Sequence, residues 1–94
     1  MKNDIGSPGV GNDWHHVVEQ SQIKKSGFSS QQINNTSNIT SVDHATHMQI
    51  SGYYNTKGLD FTNGLSVRDW LAGQSYEYQY NFGLNVLRQF GVIK

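Results

Sequence analysis

The chain has no cysteine, which excludes a disulfide scaffold and every thiolate-based zinc site, so imidazole, carboxylate and carbonyl groups remain as metal donors. It also lacks an excess of charge of either sign. Seven Lys and Arg stand against seven Asp and Glu, so the electrostatic footprint of an architectural nucleic-acid binder is missing and any grip on phosphate must be local. No apolar run approaches the ~20 residues needed to span a bilayer, and the first residues lack the charged and apolar regions of a signal peptide. The chain therefore reads as soluble, or as delivered by something else.

What is present fits one domain. A chain of 94 residues buries roughly two-thirds of the surface its unfolded form exposes, enough for a modest core and one site. With 35% hydrophobic and 12% aromatic residues, it lies above the disordered range but is polar for a globule, so the aromatics are expected to supply much of the burial. Trp14, Phe28, Tyr53, Tyr54, Phe61, Trp70, Phe82 and Phe90 are the expected anchors. The opening Gly6-Ser7-Pro8-Gly9-Val10-Gly11 suits a linker over residues 1–12 entering an excised C-terminal module at residues 13–94.

Local patterns predict an α+β order. Asp13 to Val18 carries β-favouring Trp14, Val17 and Val18 after the glycines and reads as a strand. Glu19 to Gln32 reads as a polar loop, closed by the turn-forming Asn34-Asn35-Thr36-Ser37. The β-branched run Asn38 to Val42 is the returning strand of a long-looped hairpin. Asp43 can cap a helix bearing His44 and His47, with Asn55 to Gly64 as loop, and Ser66-Val67-Arg68-Asp69 has the form of a capping box opening a short helix. From Ser75 a helical period places Tyr76, Tyr80, Leu84 and Leu87 beside Phe82, Val86 and Phe90, with Gly83 permitting close packing and Gly91 as the stop.

Three of the four histidines lie in or near a few marks: Trp14-His15-His16-Val17-Val18-Glu19-Gln20, then Asn38, then His47. Such a concentration of imidazoles in a neutral chain points first to metal-dependent hydrolysis. The order of strand with His-His, loop, Asn with returning strand, and His on a following helix resembles the ββα-metal, or His-Me finger, nucleases of the HNH type. The interval of nine residues from Asn38 to His47 is one these nucleases commonly show. More narrowly, the first stretch, Asn38-Ile39, His47-Met48-Gln49-Ile50-Ser51 and Val67-Arg68-Asp69-Trp70-Leu71 through Gln79, Phe82 and Gly83 are similar to C-terminal toxin domains of Rhs and related polymorphic toxins. The resemblance covers about residues 13 to 91.

The resemblance implies a ββα-metal core with additional C-terminal helices and an endonuclease activity, with DNA favoured as substrate. His16 is then the general base, His15 the first metal ligand, Asn38 the residue that orients the base and braces the hairpin, and His47 the helix ligand. It further implies one divalent ion, a cognate immunity protein, and delivery within a larger secreted effector that acts in the target-cell cytoplasm. These residue types suit the chemistry: an imidazole with a pKa near ~6.5 can deprotonate water near neutral pH, and a divalent ion can neutralise a scissile phosphate. Zn²⁺ or Ni²⁺ suits imidazole, whereas Mg²⁺ prefers oxygen; Mn²⁺ is a further choice.

Adjacent side chains on a regular strand face opposite ways, so His15 and His16 can share a site only where the strand twists or ends. Arg68, Lys24 and Lys25 are the expected phosphate contacts, with a solvated pair as the ordinary reading of the lysines. His44 reads as an exposed first-turn residue and Glu19 as the start of the loop. The competing function is a non-enzymatic protein-binding module in which His15, His44 and His47 hold a structural zinc; an RNase using the same site is a further variant. A zinc hydrolase of another class lacks its usual His-Glu-x-x-His helix.

Overall fold

Strands β1 (Asn12–His16) and β2 (Ile39–Asp43) pair antiparallel in the computed structural model, which describes residues 7 and 9–93. Asp13 lies opposite Val42 and His15 opposite Thr40. The two-residue repeat of a strand sets Asp13 and His15 on one face, and that face meets helix α3. β1 stops at His16, two residues short of the expected end. Val17 and Val18 leave the ladder but are buried, and the Val17 amide still donates to the Asn38 carbonyl. β2 likewise runs one residue later than expected, through Asp43.

The hairpin connection is more structured than its polar composition implies. It contains helices α1 (Gln22–Ser26) and α2 (Ser30–Ile33), followed by a 3-10 turn at Thr36–Asn38. Ser29 caps α2 by accepting from the Gln32 amide, and Asn35 caps the turn by accepting from Ser37. Helix α3 (His44–Asn55) starts where Asp43 accepts from the Thr46 amide, as the capping argument requires. Residues 56–64 are irregular except for a 3-10 turn at Asp60–Thr62. Ser66 caps α4 (Val67–Leu71) through the Asp69 amide, and Ser75 caps α5 (Tyr76–Gln89) through Tyr78.

The fold is a small α+β domain: one two-stranded sheet with helices packed around it. Its deepest layer is aliphatic, formed by Val17, Val42, Ile50, Val67, Leu71, Val86 and Leu87 with Tyr54. The expectation that aromatics supply the core is thereby corrected. Of the eight anchors only Tyr54 is fully buried; Tyr53, Trp70, Phe82 and Phe90 form a partly buried outer shell and Phe61 is exposed. Rings this large leave an edge in water when the domain is too small to surround them. Gly83 does permit close packing: a Cβ there would lie 2.5 Å from the Val17 carbonyl oxygen and 2.7 Å from its Cγ1. Gly91 takes the left-handed φ of 77° that ends a helix.

Residues 1–6 and 8 of the expected linker lie outside the described residues. Its end is tied to the fold, because the Gly11 carbonyl accepts from the His44 amide and Asn12 belongs to β1. No helix among the described residues is long and apolar enough to cross a membrane.

Candidate functional site

The end of β1, the start of the hairpin connection, α3 and α4 enclose a cavity of about 290 Å³. His15 and His16 both line it, with His47, Ser51 and Tyr54 from α3 and Glu19 and Arg68 at its margin. The strand resolves the facing problem by ending: His15 keeps the inward pleat and is buried, while His16, the last strand residue, is half-buried beside the loop.

His15 stands edge-on to His47 with ring centroids 5.4 Å apart. Its Nε2 is buried and has no hydrogen-bond partner. Burial, reinforced by neighbouring His47 and His16, lowers its pKa to about 4, so the ring is neutral near pH 7 and retains a lone pair. A neutral imidazole with an unpaired buried nitrogen fits a metal ligand. His47 turns its Nδ1 to Asp13 Oδ2 at 3.1 Å. A carboxylate only accepts, so His47 carries its proton on Nδ1 and leaves Nε2 as the donor atom for an ion.

Asp13 also accepts from His44 Nδ1 at 2.6 Å, and these two histidines hold its carboxyl below the usual range. Sequence reasoning treated Asp13 only as a strand start. The available signal was its two-residue offset from His15, which places both on one strand face. Among the described residues no group of three or more His, Cys, Asp or Glu side chains is arranged to hold a metal ion.

Asn38 is fully buried and spends its amide on the backbone. Its Oδ1 accepts from the Val18 amide at 2.8 Å, and its Nδ2 donates to the carbonyls of Val18 at 3.0 Å and Ile33 at 2.8 Å. It thus ties the two ends of the hairpin connection together, the bracing expected of it, without touching His16. The side chain that reaches His16 is Asn34, whose Oδ1 lies 3.0 Å from His16 Nε2. Burial lowers the His16 pKa, opposed by that hydrogen bond.

Arg68 is brought to the cavity margin, where Glu19 holds it in a two-bonded clasp: Nε to Oε1 and Nη2 to Oε2, each 2.7 Å. Asn55 Oδ1 accepts from Nη1. Glu19 therefore serves Arg68 rather than an imidazole, and the pairing raises the Arg68 pKa. Lys24 and Lys25 are not brought to the histidines. They border a separate apolar depression on α1 beside Ile23, and Lys25 Nζ pairs with Asp69 Oδ1 at 2.7 Å. Comparison with protein-family models, curated proteins and solved structures gave no match for the chain.

Proposed function

We propose that the chain is a metal-dependent endonuclease of the ββα-metal type, hydrolysing phosphodiester bonds, with DNA as the favoured substrate. The observation that supports this reading best is local. An antiparallel strand pair runs directly into a helix, and two neighbouring imidazoles at the strand end share one cavity with a helix imidazole. In this reading His15 and His47 are the protein's ligands, through the unpartnered Nε2 of one and the Nε2 that Asp13 leaves available on the other. A divalent ion held there supplies positive charge for the scissile phosphate and the departing oxygen.

His16 takes a proton from water and so makes the attacking hydroxide. Asp13 fixes the orientation of the His47 ring, and Asn38 keeps the two ends of the connection at a constant separation. Arg68, already held by Glu19 at the cavity margin, keeps guanidinium hydrogens beyond those it donates to Glu19 and Asn55 and can receive a flanking phosphate. The likeness of the motif stretches to polymorphic-toxin domains extends the proposal to a toxin role, with a cognate immunity protein and delivery as part of a larger effector into the target-cell cytoplasm.

Purified protein incubated with plasmid and with total RNA, each with Mg²⁺, Mn²⁺, Zn²⁺, Ni²⁺ or chelator, tests the reading. Metal-dependent nicking or linearisation of plasmid is expected. Cleavage confined to RNA would replace the substrate, and no cleavage under any metal would defeat the activity.

A further inference from the structure

The hydrogen bond between His16 and the hairpin connection fixes more than the ring's position. Asn34 Oδ1 is a carbonyl oxygen and only accepts, so the 3.0 Å contact requires the hydrogen to sit on His16 Nε2. A neutral imidazole has a single N–H, which leaves the lone pair on Nδ1. We propose that Asn34 is the positioning residue of His16, selecting the Nε2–H form so that Nδ1 is the nitrogen that takes the proton from water. This rests on the nuclease reading above.

Asn34 is held firmly enough for that task. Its backbone N–H, which closes the end of α2, donates to the Ser30 and Gln32 carbonyls. The preceding residue, Ile33, is fully buried, and its carbonyl accepts from Asn38 Nδ2. The far side of the same loop is pinned by α5, where Tyr80 donates its hydroxyl to the Ser37 carbonyl at 3.0 Å and Tyr76 approaches the Gln32 carbonyl at 3.5 Å. Asn38 thereby acts on His16 at one remove: it holds the carbonyl of Ile33, and the next residue holds the ring.

The step balances simply. Water gives a proton to Nδ1 while Nε2–H stays donated to Asn34, and the resulting hydroxide bonds to phosphorus. The bond from phosphorus to the 3′ oxygen breaks, that oxygen takes a proton from solvent, and His16 returns its own proton to solvent.

Two-bond proton–nitrogen spectra of protein labelled with ¹⁵N-histidine, with His16 assigned through His16→Gln, read the tautomer directly. The wild type is expected in the Nε2–H form, with Asn34→Asp retaining it and Asn34→Leu moving it towards Nδ1–H. On plasmid, Asn34→Leu should lower kcat roughly 10- to 100-fold with KM little changed, and Asn34→Asp should recover most of the loss. A wild-type ring in the Nδ1–H form, or a tautomer unmoved in folded Asn34→Leu, overturns the proposal. A wild type that cuts nothing defeats the nuclease reading instead, and the spectra still decide the contact.

Discussion

Burial of His15 has a consequence for stability against pH. The unfolded chain protonates this residue near its ordinary value of 6.5, whereas the folded chain does so only near about 4. Between those values the unfolded state binds more protons, so stability is full above the upper value and is lost as pH falls through the lower one. The loss is on the order of 3 kcal/mol. Burial of His16 acts in the same direction. Urea titrations across this range should show a falling midpoint, with a shallower slope in His15→Phe; an identical slope would remove His15 as the cause. Asp13→Ala should weaken metal binding and cleavage by about 10- to 100-fold in a folded protein, because it frees the His47 ring; isothermal titration with Mn²⁺ or Zn²⁺ beside plasmid cleavage measures both. His16→Ala should lower cleavage by roughly 10²- to 10⁴-fold with metal affinity kept, a contrast that His47→Ala reverses by losing metal first. At this scale the histidines and Arg68 were legible because their types are rare in this chain, and Asn38 through its interval to His47. Asp13 and Asn34 were not, since an Asp beginning a strand and an Asn in a turn have ordinary reasons to be where they are. Only the pleat of β1 and the path of the hairpin connection bring them to imidazoles.

Among the elements, the caps were the clearest part of the sequence. Asp43 and Ser66, the two caps the sequence predicts, each accept from the amide three residues on, and the structure adds Ser75 in the same role at α5. The hairpin connection was the least legible. α1 and α2 have five and four residues, too short for periodicity to register, and their stability comes from docking rather than propensity. Gln22 shows this, buried and donating to the Arg68 carbonyl from a segment that reads as plain polar loop. Two substitutions test how the elements are joined. Gly83→Ala should cost about 1–3 kcal/mol, since its Cβ would strike the buried Val17 backbone just after β1 and force α5 away from it. Asn38→Ala should cost about 1–3 kcal/mol by leaving buried Val18 and Ile33 backbone groups unpaired, and should lower cleavage as well. Thermal melts and turnover on the same preparations check both; an unchanged melt for Asn38→Ala would remove its bracing role.

For the whole molecule, the α+β order followed from the sequence because the strand and helix periods are separated by strong turn and cap signals. The depth of each residue did not follow. Side-chain area ranks the aromatics highest, yet in a domain this small the centre is filled mainly by aliphatic side chains that can be surrounded on all sides. That core is packed from Val17 and from aliphatic side chains of β2, α3, α4 and α5, and the buried His15 is neutral, so the fold should not depend on an ion. Circular dichroism with and without chelator is expected to coincide while plasmid cleavage stops; loss of helix on chelation would show that metal binding contributes folding energy.

The placement of α5 also bears on when the site comes into being. Every histidine, Asp13, Asn34, Asn38 and Arg68 is synthesised before Tyr76, yet Tyr80 fastens the connection that holds Asn34, and Gly83 seats α5 against the end of β1. A chain emerging from the ribosome therefore displays all the chemical groups of the site before the helix that fastens the hairpin connection has been made. The arrangement becomes whole only once α5 has emerged, so completion of the site waits on a segment that follows all of its chemical groups in the chain.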